Sequence, residues 1–138
     1  MSLEVYSLTR EGEKKLRANF RVREFACADG SDPVFLDSEL TALLQAVRDH
    51  FGRAVSITSG YRTAAHNAAL PHAAPYSQHL YGRAADIRVS GVSVDEVADY
   101  AESLLPGRGG IGRYSPKAGR PTGWVHLDVR SGKSRWSG

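Results

Sequence analysis

Ser77-Gln78-His79-Leu80-Tyr81-Gly82-Arg83-Ala84-Ala85-Asp86-Ile87 is the stretch on which the reading of the chain turns. It sets a histidine and an aspartate seven positions apart, with glycine and alanine between them. Residues 84–89 read as a strand, so Asp86 shares a face with Ala84 and Arg88, while Ile87 and Val89 turn toward a core. A carboxylate in so apolar a strand needs a strong partner. One candidate is an ion pair with Arg83 or Arg88. The other is a metal, because a second histidine follows forty positions after Asp86, in Trp124-Val125-His126-Leu127-Asp128. That segment also reads as a strand, with Trp124, His126 and Asp128 on one face. His79, Asp86 and His126 form a donor set that suits zinc, and three protein ligands leave a fourth position for water. The same donors also accept manganese or iron.

These residues carry a resemblance. Ser-x-His-x-x-Gly-x-Ala-x-Asp at 77–86, followed by Trp124-Val125-His126, is similar to the signature of the zinc D-alanyl-D-alanine carboxypeptidases and related phage endolysin peptidases, which share the hedgehog/DD-peptidase fold. Three further stretches resemble the small single-domain branch of that family: Asn19-Phe20-Arg21-Val22-Arg23-Glu24-Phe25, Ile57-Thr58-Ser59-Gly60-Tyr61-Arg62-Thr63 and Gly109-Gly110-Ile111-Gly112-Arg113-Tyr114. The likeness runs in matching order over 20–136.

The resemblance implies a Zn2+ ion on His79, Asp86 and His126. It puts Arg62 beside the metal, where a planar guanidinium fork can take a substrate carboxylate or carbonyl, and Tyr61, Ser77, Gln78 and Trp124 around the substrate. The implied substrates are D-amino-acid-containing stem peptides of peptidoglycan. Many members of the family carry a glutamate base three residues before the second histidine, where this chain has Gly123, or a histidine two before, where it has Trp124. Asp128 is the remaining candidate for general base, about 7 Å from His126 along the strand at roughly 3.3 Å per residue. Its other reading is a hydrogen-bonding partner that orients His126.

Three functions follow from this pattern. The first is a zinc peptidase, either a D,D-carboxypeptidase or an endolysin-like endopeptidase. The second is a zinc-containing binding module without catalysis, kept open by the missing glutamate. The third is a phage-tail-associated domain. The scissile bond stays open at this stage.

Composition agrees with a soluble protein. The chain has 138 residues, 41% hydrophobic and 24% charged, which is enough for one domain with its own core. Its net charge of +3 is scattered, with no basic block or interleaved aromatics, and nucleic acid is not expected as a partner. No apolar run is long enough to span a membrane. Met1-Ser2-Leu3-Glu4-Val5-Tyr6 lacks the basic and apolar regions of a secretory signal, so the expected location is the cytoplasm, or release by phage lysis or a virion route. The expected state is a monomer. Cys27 is the one cysteine, which excludes an intrachain disulfide, and it reads as a buried thiol.

Working outward, residues 1–19 read as an N-terminal arm and 20–138 as the zinc peptidase-like domain. Asp29 and Asp32 sit in a turn-forming cluster with no complete calcium loop. Leu40, Leu43, Leu44, Val47 and Phe51 recur at helical spacing, predicting a helix over 38–51, capped by Asp37 or Ser38 and ended by Gly52. His50, in its last turn, reads as a surface residue. Residues 54–58 alternate as a strand that ends at Ser59-Gly60 and leaves Tyr61 and Arg62 at its edge. His66 and His72 are rival ligands on a short helix and loop, without a ligand-spaced carboxylate. Ser93-Val94-Asp95-Glu96 is a capping box opening a helix to Leu105. The glycines of 109–114 suit a strand passing close to the metal or a bound peptide, and 115–123 forms a long hairpin loop. Trp136 is expected to cover one end of the core. The order of elements gives an α+β domain, with helices packed on a central antiparallel sheet.

Overall fold

In a computed structural model, which describes residues 3–138, the chain opens with strand β1 (Leu3–Ser7), helix α1 (Leu8–Glu11) and the short strands β2 (Lys15–Arg17) and β3 (Phe20–Arg21). A 3-10 turn over Val22–Phe25 leads to β4 (Pro33–Asp37), helix α2 (Ser38–Phe51), β5 (Val55–Ser59) and helix α3 (Ala64–Ala69). A second 3-10 turn, Gln78–Tyr81, precedes β6 (Ala84–Val89), helix α4 (Val94–Leu104), β7 (Gly109–Tyr114), β8 (Trp124–Asp128) and β9 (Lys133–Ser137). The expected mixture of helices and a mainly antiparallel sheet is present.

The central sheet has the order β5-β6-β8-β7-β9. Its neighbours are antiparallel except β7 and β9, which run parallel. Because side chains alternate along each strand, Ile87, Ile111, Val125 and Leu127 turn to one face and are buried there. Helix α4 packs against β7 and β8, and α2 against β6 and α4. Asp86, Asp128 and His126 turn to the opposite face. A slip of one residue in register would exchange the two sets, so the core and the site specify each other.

The helices start and stop where local chemistry requires. The Asp37 carboxylate accepts from Glu39 N at 2.9 Å to cap α2, and Gly52 ends it with a left-handed φ of 62°. Leu40, Leu43, Leu44 and Val47 form its buried stripe. Ser93 caps α4 as half of the expected capping box: its Oγ accepts from Glu96 N at 3.1 Å, while Glu96 Oε1 accepts from that hydroxyl at 3.0 Å and not from the Ser93 backbone. His50 is exposed, as expected of a surface residue, and stacks on Tyr100 of α4 at 3.7 Å between ring centroids.

Two expectations change. The segment read as an arm is paired into the fold over its described part: β1 lies antiparallel to β4, and β2 to β3. Asp32, in the turn-forming cluster, locks this pairing by accepting from Thr9 N at 2.8 Å, Thr9 Oγ1 at 2.7 Å and Ser7 Oγ at 2.8 Å. Met1 and Ser2, also assigned to the arm, lie outside the described residues. Strand β9 is the second change. Lys133-Ser134-Arg135-Trp136-Ser137 carries no apolar alternation, because an edge strand need not bury a face. Its pairing with β7 places Trp136 opposite Gly112 and over the site, not at the end of the core.

Candidate metal centre

The 3-10 turn that carries His79 is held from both sides. Ser77 Oγ accepts from His79 N at 3.3 Å, and Gly82 closes the turn with φ 68°. A side chain at Gly82 would strike the Phe35 backbone, so only glycine fits there. Gly60, just past β5, lies against the Phe25 backbone, and its carbonyl oxygen is 2.7 Å from His79 Nδ1. His79 is 2% exposed.

A carbonyl only accepts, so His79 Nδ1 donates to Gly60 and the Nε2 of the neutral ring is a bare lone pair. That lone pair faces Asp86 Oδ1 at 3.4 Å. Asp86 and His126 stand directly opposite each other on β6 and β8, and His126 Nδ1 lies 3.0 Å from the same Oδ1. The other nitrogen of His126, Nε2, is 2.7 Å from Asp128 Oδ2 and donates to it. In the neutral rings, two imidazole lone pairs and a carboxylate oxygen therefore converge on one point. The three ligand atoms lie within 4.8 Å of one another. Such an array repels itself unless a cation sits between its members, and the donor chemistry fits zinc. With no metal ion between them, a proton on a ring nitrogen takes that place: burial disfavours the charges, but hydrogen bonds from the protonated rings of His126 and His79 outweigh it and hold Asp86 below the usual carboxylate range. Burial likewise disfavours the His126 cation, and in this protonated state its bonds to Asp128 and Asp86 raise its pKa in spite of it. Neither Arg83 nor Arg88 satisfies Asp86: Arg83 Nε points to Asp37 at 3.8 Å, and Arg88 Nε donates to the Gly123 carbonyl at 2.8 Å.

Asp128 does not stand in the groove. It is fully buried behind His126, and both oxygens are engaged. Oδ1 accepts from Gly110 N at 2.9 Å and from Arg130 N and Nε at 3.1 and 2.8 Å. Oδ2 accepts from His126 and from Arg130 Nη2 at 2.6 Å. Gly110 has to be glycine, since a Cβ would overlap this carboxylate. Burial opposes ionisation here too, but the His126 and Arg130 bonds keep the Asp128 pKa low. Asp128 thus lies away from the groove lining, hydrogen-bonded to the far nitrogen of His126.

The centre opens into a groove of about 540 Å³. Arg62, Ser77, Gln78 and Trp124 line it as expected, together with His72, Tyr76, Tyr114, Arg130 and Trp136. Arg62 donates to Ser59 Oγ and Asn67 Oδ1, both at 3.3 Å, and its Nη2 lies 3.7 Å from Asp86 Oδ2. Desolvation lowers its pKa, with Asp86 acting in the other direction. Gln78 Oε1 is buried and has no hydrogen-bond partner. Tyr114 and Trp124 stack at 4.7 Å, and Trp136 Nε1 donates to Tyr114 Oη at 2.7 Å. Trp136 lies over Gly112, whose missing side chain makes room for the indole. Tyr61 turns away from the groove and packs on Phe35 at 5.4 Å, with its backbone N donating to the Phe25 carbonyl while that of Arg62 donates to His79. His66 also stands outside the groove lining.

Arg130, Tyr114 and Trp136 line the groove without having been singled out as site residues in the sequence. Arg130 had a signal in its spacing, two positions after Asp128 and just past the end of β8. Trp136 had none, because its place depends on a parallel edge pairing.

The family model described as Peptidase M15 matches residues 17–128, a span that holds Arg62, His79, Asp86, His126 and Asp128. No curated protein and no solved structure matches the chain. With that match over most of its length, and with the histidine–aspartate–histidine cluster inside it, the chain belongs to the Peptidase M15 family.

Proposed function

We propose that the protein is a zinc-dependent peptidase with a hedgehog/DD-peptidase-type fold. It hydrolyses D-amino-acid-containing bonds of peptidoglycan stem peptides, as a D,D-carboxypeptidase or an endolysin-like endopeptidase. The observation that carries this reading is the convergence of His79 Nε2, His126 Nδ1 and Asp86 Oδ1 at the floor of a groove lined by Arg62. Zinc held there would supply Lewis acidity toward a scissile carbonyl and lower the pKa of water.

The chain's own residues supply the rest. Arg62, held by Ser59 and Asn67 and 3.7 Å from Asp86 Oδ2, lines the groove, where its guanidinium can take a substrate carboxylate or carbonyl. Gln78 Oε1 offers a buried acceptor for a substrate N–H. The Tyr114, Trp124 and Trp136 wall packs against the substrate and excludes water from one side. Asp128 takes the Nε2 proton of His126 in a hydrogen bond and so keeps Nδ1 aimed at the floor.

A zinc-holding binding module is the second reading, and the seclusion of Asp128 favours it. Zinc-loaded protein incubated with purified peptidoglycan and synthetic stem peptides, followed by mass spectrometry, separates the two. Loss of terminal D-alanine marks a carboxypeptidase, and an internal cut marks an endopeptidase. Intact substrates with zinc bound would leave the binding module.

A further inference from the structure

Cys27, Asp29 and His66 form a second cluster, on the far side of the Gly60-Tyr61-Arg62 segment from the groove. Each offers one ligand atom, and the three atoms lie within 4.8 Å of one another. The cluster is graded in exposure: Cys27 is buried, His66 half-buried and Asp29 exposed. We propose that these residues form a second metal site, distinct from the groove centre, selective for a thiolate-preferring divalent ion such as zinc.

The donor chemistry supports it. Sulfur, imidazole and carboxylate are all zinc donors, with bonds of about 2.0–2.3 Å that set neighbouring donors roughly 3.5 Å apart in a tetrahedron. The present spacing, within 4.8 Å, is close to that value, and the exposed side of Asp29 gives an ion a path in. The Asp29 carboxylate is already oriented. Its Oδ1 accepts from Ser31 N at 2.9 Å and its Oδ2 from Thr63 Oγ1 at 2.7 Å. Each oxygen keeps a further lone pair for a metal. Hydrogen bonds from Ser31, through side chain and backbone, and from Thr63 hold Asp29 well below the usual carboxylate range, so it is anionic at neutral pH. His66 borders a separate cavity of about 70 Å³, room enough for a water as a further ligand.

The site has a structural consequence. Cys27 and Asp29 belong to the turn after the first 3-10 segment, and His66 belongs to α3. A shared ion ties the two together. The next residue of α3, Asn67, donates to the Ala74 carbonyl of the groove rim at 2.9 Å and accepts from Arg62 at 3.3 Å. The ion therefore braces one wall of the groove and its arginine from behind.

Titration of the metal-free protein with Co2+ and Zn2+ tests this without reference to activity. The wild type should take two equivalents, one of them with a thiolate-to-cobalt charge-transfer band in the near ultraviolet. Cys27→Ser and His66→Ala should each lose that band and one equivalent, while His126→Ala should lose the other equivalent and keep the band. His66→Ala keeps the test open if the buried Cys27→Ser change impairs folding. A single equivalent in the wild type, a second equivalent without the thiolate band, or an undiminished band in His66→Ala would overturn the proposal.

Discussion

Across the groove, the wall built by β6, β8 and β7 and the wall built by residues 70–78 are held by different forces. In the first, Asp86 is paired with His126, and both Gly112 with His126 and Gly110 with Asp128, by backbone ladders. Moving one of these side chains means moving a strand and the core behind it. In the second, the described contacts are turns and a few side-chain bonds, such as Asn67 Nδ2 to the Ala74 carbonyl, and Tyr76 is 81% exposed. The difference separates two tasks. Metal-ligand geometry needs tolerances of a fraction of an ångström, which a sheet register provides. Contact with a variable substrate tolerates a wall that moves and changes in sequence.

The strongest way to break this comparison is to remove a ligand from the sheet wall. His126→Ala should abolish metal binding in the groove and all hydrolysis, with the loss read by metal analysis and stem-peptide cleavage. Retention of a groove metal through His72 would show that the rim, not the sheet, supplies ligands.

Asp128→Asn is the next in size. With Asp128 orienting His126, the variant should bind groove zinc about 10- to 100-fold more weakly, and turnover should recover at saturating zinc. Unchanged zinc affinity with turnover lowered about 100-fold or more would return Asp128 to the general-base role.

The rim should respond differently. Tyr76→Ala should leave zinc affinity unchanged and stability within about 0.5 kcal/mol, while raising KM for stem peptides. A fall in zinc affinity would mean that the two walls are not separate.

The smallest effect belongs to a region away from both walls. Hydrogen bonds from Thr9, backbone first and then side chain, and from Ser7 lower the Asp32 pKa. A depressed folded-state value means that the contribution is fully present above the unfolded pKa of about 3.9 and is lost as pH falls through the lower folded one. The gap in melting temperature between wild type and Asp32→Asn should be constant from neutral pH down to about pH 5 and shrink below about pH 4. A gap that widens in acid would reverse the sign of the argument.

Legibility in the sequence followed the same division. His79, Asp86 and His126 could be found because small residues, a fixed spacing and strand alternation all pointed at one face. The helix over 38–51 and the capping box at Ser93 were legible because their signals are local. Asp128 was visible as a residue on the right face, but its burial was not, since that depends on Gly110 arriving from β7, a remote part of the chain. The pairing of residues 3–7 with β4 was hidden for a similar reason: Leu3 and Val5 stay largely exposed, so the strand buries no apolar face that a pattern could reveal. Tyr61 was misplaced because the adjacent amides of Tyr61 and Arg62 bond to different segments, at Phe25 and His79, so only Arg62 lines the groove.

The most direct test of the metal centre is anomalous scattering at the zinc edge from crystals of the zinc-loaded protein. A peak bounded by His79 Nε2, His126 Nδ1 and Asp86 Oδ1 is the predicted result. No peak at that point, or anomalous density only at Cys27, Asp29 and His66, would contradict it.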